Sequence, residues 1–289
     1  MTTIAFFLAL GAAAAWAVGM TLAKPAVRWV DPLSYTAVRW VVGAALAAAY
    51  GLVTNAFSFP GWGAVGYAAL AGFLDAAVGG LFYVLSIQRT SAHEATTLSS
   101  TAPLWGVAAS VLFLAEPARW GAFVAAGLAV AGAFLLVHEP RGAARRRLAG
   151  PAFALLTGAL WGIAETVPTK LALARGISPA LLLLVFSITA VAGTTGLAPF
   201  LRSRIPRKMT RTGLLYAAAS SAAGAFLGWV LWLLALERAP ASLVSPVRGS
   251  TVLFAFAYSV VFLRERPRRE SFIGAGLVFA GILVITLLT

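Results

Sequence analysis

The sequence predicts an all-α integral membrane protein of ten transmembrane helices, arranged as two inverted five-helix repeats. Three observations carry this: an apolar excess in the composition, ten apolar segments of spanning length, and an internal repeat. Of the 289 residues, 61% are hydrophobic and only 11% charged, with a mean hydropathy of +0.90. A soluble protein carries roughly 25% charged residues. This chain lacks the charge to cover a soluble surface, so its apolar surplus must face lipid. Glycine (28 residues) and alanine are abundant, as expected where helices in lipid pack closely through small side chains.

A spanning helix needs about 20 mainly apolar residues. The first such segment, 3–23, has no basic stretch before it and no cleavage site after it, and reads as a membrane helix rather than a removed signal peptide. Lys24-Pro25 and Asp31-Pro32 separate it from 33–53, and Pro60-Gly61 precedes 63–86. The fourth and fifth segments, 93–114 and 119–138, flank Pro117. After Pro140 and a basic stretch come 150–170 and, opening on Pro179, 179–200. Pro206 precedes 212–236, Pro240 precedes 241–263, and Pro267 precedes 270–288. Barrel strands would alternate in polarity, which these runs do not.

The chain also repeats itself. With Tyr67 set against Tyr216, 149 positions on, Gly79 meets Gly228, Leu85 meets Leu234, Arg89 meets Arg238 and Glu116 meets Glu265, without a gap. Upstream, Leu10 to Lys24 parallels Leu155 to Lys170, with Trp16 facing Trp161, and Asp31-Pro32 faces Ser178-Pro179. The chain therefore divides into a first repeat, 1–140, a basic connecting loop, 141–149, and a second repeat, 150–289. Five crossings is an odd number, so the second copy enters the membrane upside down. Inverted repeats put a pseudo-twofold axis in the membrane plane and a site near the midplane between the halves. This symmetry points to alternating-access transport.

Composition excludes several chemistries. The chain has no Cys, so disulfides and thiolate sites are out, and its two His, His93 and His138, cannot make a multi-histidine metal site. No phosphate loop is present, so ATP is not the energy source, and no cofactor is expected. No Ser-His-Asp arrangement argues for an enzyme. The net charge of +13 sits in short gaps between apolar runs, where Lys and Arg set membrane orientation, rather than in a nucleic-acid-binding pattern.

The stretch Tyr83-Val-Leu-Ser-Ile-Gln-Arg-Thr-Ser-Ala-His-Glu-Ala-Thr-Thr-Leu-Ser-Ser-Thr-Ala-Pro103, followed by Phe113-Leu-Ala-Glu116-Pro, resembles the EamA signature. Leu233 to Pro246, followed by Phe262-Leu-Arg-Glu265, is its second copy, and Gly127/Gly132 and Gly276/Gly281 follow at the family's spacing. Over essentially its whole length the chain is similar to the ten-helix members of the drug/metabolite transporter superfamily. The resemblance implies a central cavity lined mainly by helices 1, 3, 4, 6, 8 and 9, with helices 5 and 10 packed to the side. It also implies transport of amino acids, other metabolites, nucleotide-sugars or drugs.

Family members usually keep both termini cytoplasmic. Here the odd-numbered gaps hold 16 Lys and Arg against four in the even gaps. The positive-inside rule then places both termini outside, in a multi-pass protein of the cell (inner) membrane.

An ionisable residue inside a span costs at least about 2.5–3.5 kcal/mol and is a candidate functional group by default. Asp75, mid-helix 3, and Glu165, in helix 6 beside Pro168, are candidate substrate contacts and proton-coupling groups, set against structural pairing. Arg248, early in helix 9, offers fixed donors to a carboxylate or phosphate, or pairs with Asp75 or Glu165; Ser99 is its repeat counterpart. Trp16 and Trp161 are equivalent and too deep for the aromatic belts, and Tyr83 and Trp232 are equivalent, with Trp229 one turn before Trp232. These rings are candidate walls of a substrate cavity, with helix packing as the alternative. Arg39 reads as snorkelling or tying helices together, Glu94 as a helix-start acid, His93 as interfacial, and Glu116 and Glu265 as structural or gate residues. Trp29, Trp40, Trp62 and Trp120 read as interface anchors.

The expected partners are a small organic substrate, protons and membrane lipids, with no nucleic acid, on a monomer or weak dimer. The expected function is secondary transport, with export of an amino acid or related metabolite foremost. The alternative on the same fold is a flippase or scramblase for a lipid or lipid-linked substrate.

Overall fold

Within a bilayer core a backbone can satisfy its polar groups only as helix or closed barrel. The computed structural model describes residues 1–87, 89, 95, 98–136, 149–202, 209–263 and 269–287, and these form helices with no strand among them beyond an isolated Val30–Met209 bridge. In chain order the ten helices are α1 (Thr3–Trp29), α2 (Pro32–Val53), α3 (62–87), α4 (Ala102–Phe113), α5 (Trp120–Leu136), α6 (Ala149–Leu173), α7 (Pro179–Arg202), α8 (Arg211–Arg238), α9 (241–263) and α10 (Arg269–Leu287). Six described stretches are long and apolar enough to span on their own. His93, Glu94, His138, Glu265 and most of the basic loop lie outside the described residues.

Local chemistry explains the helix starts. The repeat mates Asp31 and Ser178 both cap: the Ser34 backbone N–H donates to Asp31 Oδ1 at 3.0 Å, and that of Leu181 to Ser178 Oγ at 3.2 Å. Each precedes a proline whose missing N–H costs nothing in the first turn. The interiors of α3 and α8 are interrupted by π-turns, Phe73–Gly79 and Ser221–Gly228, at equivalent places in the two repeats. Such turns bulge the helix and release carbonyls from the regular ladder.

Packing closes eight helices into a ring, in the order α1, α8, α2, α7, α3, α6, α4, α9 and back to α1, while α5 and α10 pack on each other outside α4 and α9. Exchanging α1–α5 for α6–α10 maps this order onto itself, which is the pseudo-twofold axis. The ends sort to two faces. Ser86 at the end of α3 donates to the Gly150 carbonyl at 2.9 Å, and Thr210 N–H to the Trp29 carbonyl at 3.2 Å, joining odd-numbered connections. Ser178 donates to the Ala56 carbonyl at 2.7 Å, joining even-numbered ones. Small residues let the helices meet: a Cβ on Gly19 of α1 would lie 2.9 Å from Gly224 Cα of α8. Phe7, Leu52, Trp120, Phe272 and Phe279 point outward, where lipid solvates them.

Two expectations are corrected. Helix α1 does not stop at Lys24-Pro25 but runs on to Trp29, where the Val30–Met209 bridge ties its end to the start of α8. Trp40 is not an interface anchor. It sits in the third turn of α2, 2% exposed, with its ring 5.0 Å from that of Phe186 in α7. Trp29, Trp62 and Trp120 are exposed at helix ends.

One cap crosses the even face. Ala115 takes a left-handed backbone (φ 52°), turning the Glu116 carboxylate onto the start of α9, where the N–H groups of Ala241 and Ser242 each donate at 2.8 Å. A carboxylate there satisfies two orphan donors and meets the positive helix end. Glu116→Ala is expected to cost about 1–2 kcal/mol, read as a lowered melting temperature in detergent, with Glu116→Gln intermediate because its amide has one acceptor oxygen.

Candidate functional site

The two charges at the centre of the ring are placed by two breaks in helix regularity. In α9, Gly249 interrupts the helix between Ala241–Arg248 and Ser250–Leu263, and a Cβ on Gly249 would run into Ala129 of α5. Arg248 therefore ends a short helical segment, where the negative end of the backbone dipole favours a cation. In α6, Pro168 has no N–H for the Ala164 carbonyl, and the Thr169 hydroxyl replaces it at 2.8 Å. Glu165 lies within that repaired turn.

The two charges meet as a fork. Arg248 Nη2 donates to Glu165 Oε1 at 2.7 Å, and Arg248 Nε donates to Glu165 Oε2. The Glu165 side chain is 5% exposed and that of Arg248 16%. Bidentate guanidinium–carboxylate pairing is the strongest neutralising geometry available to this pair in a dry site. The guanidinium also lies 5.6 Å from the Trp16 ring centre and 6.0 Å from that of Trp161, within cation–π range. Trp232 Nε1 donates to the Glu165 backbone carbonyl at 3.0 Å.

Asp75 sits in the π-turn of α3 and is 7% exposed. Its carbonyl accepts from Trp161 Nε1 at 3.1 Å, so Trp161 bridges α3 and the ion pair. Its carboxyl makes no side-chain hydrogen bond among the described residues, and feels the charges of Glu165, Arg248 and Arg39. Arg39, half-buried on α2, lies 5.0 Å above the Trp40 ring.

Symmetry organises the rings. Tyr83 and Trp161 stand 5.4 Å apart, and their mates Trp232 and Trp16 also 5.4 Å apart, at similar tilts of 42° and 48°. The indoles of Trp161 and Trp16 lean on the equivalent glycines Gly79 and Gly228, where a Cβ would approach to 3.0 and 2.5 Å. Trp229, 2% exposed, packs between Trp16 at 6.1 Å and Phe186 at 4.3 Å. The acids break the symmetry: Asp75 stands where the other half has Gly224, and Glu165 near the place of Gly19 and Met20.

Of the residues selected from sequence, Trp16, Asp75, Trp161, Glu165, Trp229, Trp232 and Arg248 thus form one connected cluster, with Tyr83 at its edge on Trp161. Ser99 is elsewhere: it is buried before α4, its carbonyl against Gly158 of α6. Between the pairings open to Arg248, the structure has Glu165. Sequence reading missed Lys170, whose ammonium donates to the carbonyls of Leu236 and, at 2.9 Å, Ala239 at the end of α8. Its position opposite Lys24 in the repeat was the available signal. Among the described residues no group of three potential metal ligands occurs.

The sequence matches a family described as "EamA-like transporter family" twice, over residues 3–138 and 148–287. A solved structure described only as "Crystal structure of protein" superposes with a TM-score of 0.84 at 19% identity, covering 100% of this chain and 98% of that one. At that identity the likeness is one of fold. No curated protein matches.

Breaking a buried pair by removing one partner costs about 3–5 kcal/mol, whereas replacing both is much milder. Arg248→Leu is therefore expected to destabilise the protein by that amount in detergent, and Glu165→Leu/Arg248→Leu by less than either single change. A thermal-unfolding double-mutant cycle measures it.

Proposed function

The chain belongs to the EamA-like transporter family, and from that premise we propose that it is a secondary transporter of a small zwitterionic metabolite, an amino acid or a close relative. Alternating access around the central cluster would move the substrate, with export the expected direction. The observation that carries this reading is the buried Glu165–Arg248 fork between Trp16, Trp161 and Trp232.

The argument is one of charge balance. A carboxylate-bearing substrate competes with Glu165 for the two donors of Arg248. If it brings only a negative charge, Glu165 is left uncompensated in a dry site, a loss of several kcal/mol. A substrate that also carries an ammonium restores the balance at Glu165 or Asp75, and the indole faces accept the same cation. Zwitterions therefore fit better than simple anions or cations. The apolar part of the substrate would lie against Tyr83, Trp161 and Trp232.

Asp75 is the proposed proton-coupling group, since its carboxyl sits beside the fork without being bound into it; Glu165, once released, is the second candidate. We further propose that the loops after odd-numbered helices face the cytoplasm, from the 16-to-4 bias of basic residues.

Proteoliposomes carrying an internal pH dye test this with pooled labelled neutral amino acids. Uptake with proton movement is expected for the wild type, uptake without proton movement for Asp75→Asn, and loss of uptake by at least about tenfold for Arg248→Leu. No uptake of any amino acid, with leaflet exchange of a labelled lipid instead, would overturn the reading in favour of a flippase. For orientation, Asn55→Cys on an even loop is expected to react with an impermeant thiol reagent outside intact cells; reaction only in inverted vesicles refutes the assignment.

A further inference from the structure

In the ring of eight helices α6 and α8 stand opposite each other, as do their repeat mates α1 and α3. Towards the even face, α6 and α8 meet across the ring. Trp232 of α8, 0% exposed, reaches the Glu165 carbonyl of α6 at 3.0 Å. Lys170, little more than a turn further along α6, reaches back. Its ammonium donates to the carbonyl of Leu236 and, at 2.9 Å, to that of Ala239. The Glu116 carboxylate at the end of α4 accepts from the N–H groups of Ala241 and Ser242, at 2.8 Å each. The connection between α8 and α9 is thus gripped from two sides. A cation holds the carbonyls that end one helix, and an anion holds the N–H groups that start the next, each at the helix pole that favours it.

Lys170 is more than an ordinary helix cap. A helix end is commonly closed by a base of its own last turn, and α8 has one: Arg238 Nη1 donates to the Leu234 carbonyl at 2.7 Å. Its mate Arg89 does the same for Leu85 in α3, at 3.0 Å. Lys170 comes in addition, and from the far side of the ring. It is half-buried, and Glu116 and Glu237 act on its charge. The opposite end of the ring differs. Among the described residues α1 and α3 make no packing of comparable extent, and Tyr83, the mate of Trp232, is only half-buried. The sequence repeats the pair of charges there, with Lys24 opposite Lys170 and Glu265 opposite Glu116; those two side chains lie outside the described ones.

We propose that Lys170 and Glu116 form a latch that holds the even face shut, and that the structure is the state closed on that side. Opening that face requires the α8–α9 connection to leave both groups. The carbonyl and N–H groups so released are at a helix end near the surface, where water satisfies them. A lysine suits this task, because its flexible stem and point charge re-engage without the fixed fork that an arginine needs. The latch as a step in the transport cycle rests on the transporter reading; the closure itself does not.

The chain contains no cysteine, so spin labels go only where cysteines are introduced. Ala174→Cys, just past α6, and Arg238→Cys, at the end of α8, are exposed positions on the even face. Double electron–electron resonance on this pair, in nanodiscs without substrate, is expected to give mainly one short distance. In the same background Lys170→Met keeps the stem and removes the donors. It is expected to raise the ratio of a longer distance to the short one by at least about tenfold. Lys170→Arg should bring the ratio back, and Glu116→Gln should raise it by less. Size-exclusion profiles and melting temperatures show which variants fold; should Lys170→Met fail, Lys170→Gln, which keeps a neutral donor, must shift the ratio the same way. A lowered melting temperature with an unchanged distance distribution would make Lys170 a fixed cap and overturn the latch. So would a longer distance already predominant before Lys170 is changed. Neither reading depends on whether amino acids are carried, whereas failed uptake with the distance shift intact would count against the transporter reading alone.

Discussion

The fork between Glu165 and Arg248 is the interaction around which the rest is arranged. Neither charge is tolerable alone at the centre of a membrane protein, and each is aimed by a separate irregularity. Gly249 ends the helix that presents Arg248, and Pro168 loosens the turn that presents Glu165. The segment carrying Arg248 is held at its other end by Glu116, which caps Ala241 and Ser242. Trp232 holds the Glu165 backbone and Trp161 holds that of Asp75. The cluster is thus braced through backbone contacts, leaving the charged ends of the side chains to face one another.

Around this point the two repeats share a scaffold and differ in what they put on it. The paired rings, Tyr83 on Trp161 and Trp232 on Trp16, keep one spacing and nearly one tilt. The acids do not repeat: Asp75 is matched by Gly224 and Glu165 by the region of Gly19 and Met20, where α1 and α8 meet at Gly19 and Gly224. An architecture of two similar halves can in this way hold a single chemical centre rather than two weak copies of it.

Much of the fold was legible in the residues because membrane helices are specified by long apolar runs and by the prolines and capping residues between them. Asp31 and Ser178, matched by the repeat, both cap helices as their position suggests. The end of α1 was not legible, since Pro25 normally signals a stop, whereas the helix runs on to Trp29 and Val30 then pairs with Met209. Trp40 was misread because proximity to a helix start does not reveal depth, which depends on the α7 surface it meets. The members of the central cluster stood out as ionisable or aromatic residues deep in spans. Which acid pairs with Arg248 depends on the crossing of α6 and α9 and has no local signature. Ser99 was selected through symmetry alone, and its carbonyl lies against Gly158 of α6.

The contact between Gly19 and Gly224 has a mechanical consequence. At Gly19 and Gly224 the backbones of α1 and α8 make their close approach with no side chain between them, held by the Ser220 hydroxyl donating to the Gly19 carbonyl at 2.7 Å, so a tilt of one helix on the other would pivot there. Gly19 lies ten residues before the end of α1, roughly 15 Å along the axis. A tilt of about 10° at that point moves the helix end by roughly 2.6 Å, about the diameter of a water molecule, while the point itself stays fixed. The contact is shaped as a fulcrum, with the rigid ring pairs as its load and the loop ends as the long arm of the lever.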